Sequence, residues 1–201
     1  MKTVAGIVAG MALAVAVAGA AALWYARSTG LSARATGSAA ETAAARRVRA
    51  WAIPADVRER QNPVPPSAEA LASGRAHFAD HCASCHANDG SGNTEMGRNL
   101  FPRSPDMRQP ATQQLTDGEL FWIIENGIRF TGMPGWSTGT PEGERASWEL
   151  VHFVRRLPAL TAAEIDEMAA MNPRPPAEIR QEIEAERFLQ GFPPSAVDGP
   201  P

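Results

Sequence analysis

The chain has 201 residues, of which 44% are hydrophobic and 20% charged. That suffices for one domain of ordinary size with appendages, is too short for two large cores, and is too apolar to stay disordered. The formal net charge of −3 is spread unevenly, with +5 on residues 1–67, −3 on 68–157 and −5 on 158–201. No stretch is basic enough for a nucleic-acid surface, so no nucleic acid is expected as a partner. Two cysteines are too few for a disulfide scaffold and leave one dedicated cysteine site to explain.

From Val4 to Tyr25 no residue is charged. As a helix this run is about 33 Å long, enough to cross a bilayer core of about 30 Å. Trp24, Tyr25 and Arg27 close it, as expected at a membrane interface. Residues 1–26 therefore read as a membrane anchor. The alternative is a cleaved signal segment ending near Ala18-Gly19-Ala20. Both readings export the rest of the chain.

Residues 27–67 read as a linker. Small and polar residues lead to Arg46-Arg47-Val48-Arg49, a short charge run expected to face solvent, and then to Asn62-Pro63-Val64-Pro65-Pro66.

Residues 68–157 read as an all-α domain. Ser67 can cap a helix to about Asp80, with Leu71, Gly74 and Phe78 on one face. The glycines and prolines of 87–115 allow no long element. Thr116-Asp117-Gly118-Glu119 is a capping box that opens a helix, and Gly127 sits where it would stop. Residues 143–157 repeat the helical pattern up to Pro158. An acidic tail, 158–201, holds two further helices, opened by Thr161 and by Pro175-Pro176.

Within the domain, Cys82-Ala83-Ser84-Cys85-His86 has the C-x-x-C-H pattern of covalent c-type haem attachment. Two thiols three residues apart on one turn can reach two vinyl groups of one porphyrin. The adjacent histidine then falls beneath the iron as an axial ligand. A thioredoxin-like dithiol would need a βαβ surround. A zinc site recruiting His77 or His81 would usually show a second ligand pair.

On these residues the chain resembles a class I monohaem cytochrome c. The resemblance rests on Gly74 and Phe78 before the motif, the motif itself, Gly90-x-Gly92 after it, and Leu150-Val151-x-Phe153-Val154 in the last helix. It implies one covalent haem c, held by Cys82 and Cys85 with His86 as proximal ligand, and a first and last helix that cross at Gly74. It also implies that the domain lies on the periplasmic side of a bacterial membrane.

For the sixth ligand, Gly132-Met133-Pro134-Gly135 resembles the family's distal loop, which places Met133 on the iron; Met96, Met107, His77 and His152 are the alternatives. Met133 lies 47 positions after His86, enough to return on the opposite porphyrin face. Where the family usually has Gly-Pro-Asn-Leu, with the proline carbonyl on the proximal histidine, Gly97-Arg98-Asn99-Leu100 stands here, so Arg98 would supply that carbonyl. Trp136 and Arg129 are candidates for the haem propionates.

The expected function is one-electron transfer by a respiratory carrier or subunit, not an enzyme. Its partners would be redox proteins such as a dehydrogenase, oxidase or reductase. A peroxidase or gas sensor with an open distal site, and a non-catalytic subunit of a larger redox complex, are the competing readings.

Overall fold

The computed structural model describes residues 2–192 and is all-helical over them, with no strands. Helix α1 (Lys2–Thr29) contains an apolar run, Thr3–Thr29, of mean hydropathy 2.2 that is not buried against the rest of the chain. By length and composition it can cross a membrane.

The stretch expected as a linker is partly folded. Helix α2 (Ala39–Ala52) opens on a full capping box between Ser38 and Glu41, and α3 (Ala55–Arg58) follows. Ile53 and Val64 are buried at 2% and 6% exposure. Long-range bonds hold this segment down: Asn62 Nδ2 donates to the Trp148 carbonyl at 2.9 Å, and Thr116 Oγ1 to that of Arg58 at 2.8 Å. Scattered apolar residues among prolines give no periodic signal, which is why composition alone reads as linker.

The domain is organised by a crossing of two helices. Helix α4 (Ala68–His77) starts at Ser67, whose hydroxyl accepts from Ala70 N at 3.1 Å. Beyond His77 the chain winds through a π-helical turn, Phe78–Cys82, into the short α5 (Ala83–His86). After α6 (Glu95–Asn99), α7 (Pro110–Gln113) and α8 (Asp117–Asn126) comes α9 (Pro141–Arg156), which packs across α4.

Gly74 permits that crossing. A Cβ there would run into the Glu149 carbonyl and lie 3.1 Å from the Phe153 Cβ. Beside it the Phe78 and Phe153 rings meet with centroids 5.1 Å apart, both essentially inaccessible to water. On the far side of α9, Trp148 stacks on Phe121 of α8 at 4.1 Å, and the Arg60 guanidinium covers the Phe121 face at 4.8 Å. These contacts fill one half of the core with side chains alone.

The tail divides in two. Helix α10 (Ala162–Ala169), opened by the Thr161–Glu164 capping box, buries Met168 completely in the core. Asn172, just beyond it, donates to the Ala79 carbonyl in the π-helical turn at 2.7 Å. Helix α11 (Pro176–Leu189) buries no residue.

Candidate functional site

The π-helical turn and α5 carry the cysteine motif. Ala87, at φ 60°, ends α5 and turns the chain away from His86. The following loop folds back on the motif. Gly92 N donates to the His86 carbonyl at 2.8 Å, and Thr94 Oγ1 to the Cys85 carbonyl at 3.2 Å. Gly92 has φ +70°, and a Cβ on it would collide with the backbone of Ser104 and Pro105. So Gly90-x-Gly92 serves as a close-approach loop, drawing residues 104–107 against the motif; Met107 N donates to the Gly90 carbonyl at 2.8 Å.

A slot opens between this layer and α8. It consists of two adjoining hollows of about 90 and 110 Å³, open to solvent at their mouths, that share Cys82, His86, Pro105, Ile128 and Met133. The outer hollow adds Cys85, Leu100 and Trp136; the inner adds Leu120, Ile124 and Leu150. A mostly apolar slot of this kind, left open between packed layers, departs from close packing and suits a flat apolar occupant.

The chemistry of the lining fits a haem. Cys82 and Cys85 are free thiols at the rim. Burial, with Cys85 adding to it, pushes the Cys82 thiol up to about 12, the opposite of an activated redox dithiol. Burial lowers the pKa of His86, favouring the neutral imidazole that can bind iron. Its Nδ1 is buried with no hydrogen-bond partner. Among the described residues no group of three or more His, Cys, Asp or Glu gathers into a metal-binding cluster, and His77 instead meets His81 edge-on at 4.9 Å.

The three candidate methionines separate clearly. Met133 lines both hollows with His86, Met107 lines the inner one alone, and Met96 lines neither, its sulfur lying 3.2 Å from that of Cys85. Gly127, at φ +67°, positions the Met133 loop: a Cβ there would strike the Met133 carbonyl, which accepts from Ile128 N at 3.1 Å.

Two expectations change. The Arg98 carbonyl expected on His86 is not found there: His86 Nδ1 has no hydrogen-bond partner, and the backbone group that favours its charged form is that of Pro105. Arg98 is exposed and bonds Asn93 Oδ1 at 2.7 Å. Four residues, 101–104, separate Leu100 from Pro105, and Ser104 N donates to the Gly97 carbonyl at 3.0 Å. Of the two propionate candidates, Trp136 lines the outer hollow with its ring 5.4 Å from that of His81, while Arg129 is exposed and lines neither hollow.

Sequence reasoning missed one residue altogether. Arg49, expected on a solvated linker face, lines the inner hollow. Ser38-Ala39-Ala40-Glu41 was the available signal: a capping box that announces α2 and hence a fixed direction for its side chains.

A family model described as cytochrome c oxidase, cbb3-type, subunit III matches residues 69–154. No curated protein matches the chain.

Proposed function

Starting from residues 69–154 as a c-type cytochrome domain, we propose that the chain is a membrane-tethered one-electron carrier or electron-transfer subunit of a respiratory redox complex. A single observation carries this reading. His86 and Met133 line one apolar slot whose rim bears both cysteines.

In this reading Cys82 and Cys85 would hold one haem c through thioethers, and His86 and Met133 would be the ligands of its iron. Haem held this way supplies a one-electron ferric–ferrous couple. The chain's own contribution is to keep both axial positions filled, exclude water and limit rearrangement on electron transfer. The thioether of Met133 favours the ferrous state and raises the potential. Two iron ligands supplied by the chain would leave no position for substrate, which favours carriage over peroxide or gas chemistry.

Helix α1 would anchor the domain on the periplasmic side, and the folded 53–66 segment would hold it close to the membrane. The description of the matching family points to a terminal-oxidase assembly as the setting. The −5 charge of residues 158–201 suits a basic partner face.

The test uses the full chain. Haem should survive denaturation and acidified acetone, and the ferric protein should show the weak long-wavelength band of thioether ligation. Met133→Ala should lose that band, lower the potential and bind carbon monoxide, whereas Met107→Ala and Met96→Ala keep all three properties. Ready binding of carbon monoxide by the native protein would favour a sensor or peroxidase instead. A mature N-terminus near Ala21 would replace the anchored carrier with a soluble one.

A further inference from the structure

Helix α2 lies outside residues 69–154, yet one of its side chains reaches the slot. Arg49 lines the inner hollow together with Phe78, His86 and Met133, and its Nε is buried with no hydrogen-bond partner.

The surroundings do not supply that partner. Burial and the nearby Arg46 both disfavour the Arg49 charge, and Glu119 opposes them. But Glu119 is already committed: it accepts from Thr116 N at 2.8 Å and pairs with Arg58 at 3.4 Å. Arg49 as a whole is half-buried, but its guanidinium cannot shed charge by losing a proton, so its enclosed Nε side favours an anion.

Nor is Arg49 a loose end. Arg58 donates to the Ala50 and Ile53 carbonyls at the C-terminal end of α2, and Ile53 is 2% exposed. By contrast Arg103, which lines the outer hollow, and Arg129 are both exposed and solvated.

We propose that Arg49 is the counter-cation of a haem propionate, which makes α2 part of the cofactor site and a determinant of its reduction potential. This rests on the haem reading above. The slot selects the anion by shape: a flat apolar ring bearing carboxylates brings its own negative charge into a hollow otherwise walled by hydrocarbon. Arg49 then gains a charge-assisted pair and the propionate loses its destabilising exposure to a low dielectric.

The sign of the effect on potential follows. A fixed positive charge beside the haem disfavours the more positive ferric state. Removing it should shift the ferric–ferrous equilibrium roughly tenfold toward ferric, equal to about 59 mV for one electron.

The experiment compares the full-length holoprotein with Arg49→Gln, Arg49→Lys and Arg46→Gln. Covalent haem is quantified first by pyridine haemochrome, then potential and the propionate bending bands in resonance Raman are measured. Arg49→Gln should keep its haem, lower the potential and shift the bands. Arg49→Lys should recover part of both, and Arg46→Gln neither changes. Absence of covalent haem in the native protein overturns the haem reading and this inference with it. Haem present, with potential and bands unaltered in Arg49→Gln, overturns this inference alone. Should Arg49→Gln fail to mature, a crystal structure of the native holoprotein decides. An Arg49 nitrogen within ion-pair distance of a propionate oxygen supports the proposal, and a guanidinium turned to solvent or to Glu119 refutes it.

Discussion

Two halves of one core behave differently. At the α4–α9 crossing Gly74 meets the Glu149 carbonyl and Phe153 with no room for a Cβ, Phe78 packs on Phe153, and on the far side of α9 Trp148 stacks on Phe121. In the slot a few ångströms away, His86, Ile124, Ile128 and Met133 line a hollow that no side chain fills. The first half is complete when the chain folds; the second is shaped for something the chain does not encode. Both need the same helices, so a cofactor-dependent half is built on a half that does not depend on it.

The strongest way to break this contrast is to keep the haem out. A Cys82→Ser/Cys85→Ser double variant should lose about 5 kcal/mol or more of stability, since an unfilled apolar cavity is costly in proportion to its volume. Thermal melts should broaden and near-ultraviolet dichroism fade while helical signal is largely retained. An equally sharp melt would mean that the slot closes without haem.

Attacking the other half should cost somewhat less. Gly74→Val forces a branched side chain into the Glu149 carbonyl and the Phe153 Cβ. The expected loss is about 3 kcal/mol or more, by chemical denaturation, because backbone must move. Here the haem spectrum of the folded fraction should be unchanged, which separates the halves.

The π-helical turn joins them, and Asn172 secures it by satisfying the Ala79 carbonyl at 2.7 Å. Asn172→Ala should cost about 1 kcal/mol, with faster amide exchange confined to residues near Ala79. An unaltered exchange pattern would show that the tail merely rests on the turn.

The smallest effect concerns the loop beside the slot. Hydrogen bonds from Arg108 hold the Asp106 carboxyl at about 2, against about 3.9 in an unfolded chain. Its contribution is therefore present above pH of about 4 and fades as pH falls toward 2. Asp106→Asn should flatten that part of the stability profile and leave neutral pH slightly less stable. An unchanged acid limb would remove Asp106 from the account.

Local chemistry explains which parts were legible. Ser67, Thr116 and Thr161 each announced a helix, and each caps one, because a capping hydroxyl acts within three residues. The Gly74 crossing was also readable, as the resemblance implies it. The linker reading of 27–67 went astray from Ala39 onward, since Asn62 and Val64 are tied by hydrogen bonds to Trp148 and His152, partners more than eighty positions away. The proximal carbonyl was placed at Arg98 by the family pattern, whereas His86 Nδ1 has no hydrogen-bond partner and Pro105 is the residue that lines the slot beside it.

What the chain's order of residues determined by itself is chemistry that acts over one turn: the spacing of Cys82, Cys85 and His86, the capped helix starts, and an apolar run long enough to span a bilayer. What only the tertiary structure decided is which distant groups share the slot. Pro105 beside His86, Met107 in the inner hollow, and Arg49 from a helix outside the domain are all placed by how loops close over α4, α8 and α9. The physical reason is range. Capping and ligand spacing are governed by bonds a few residues long, whereas burial beside His86 depends on chain closures of tens of residues, whose outcome packing alone selects.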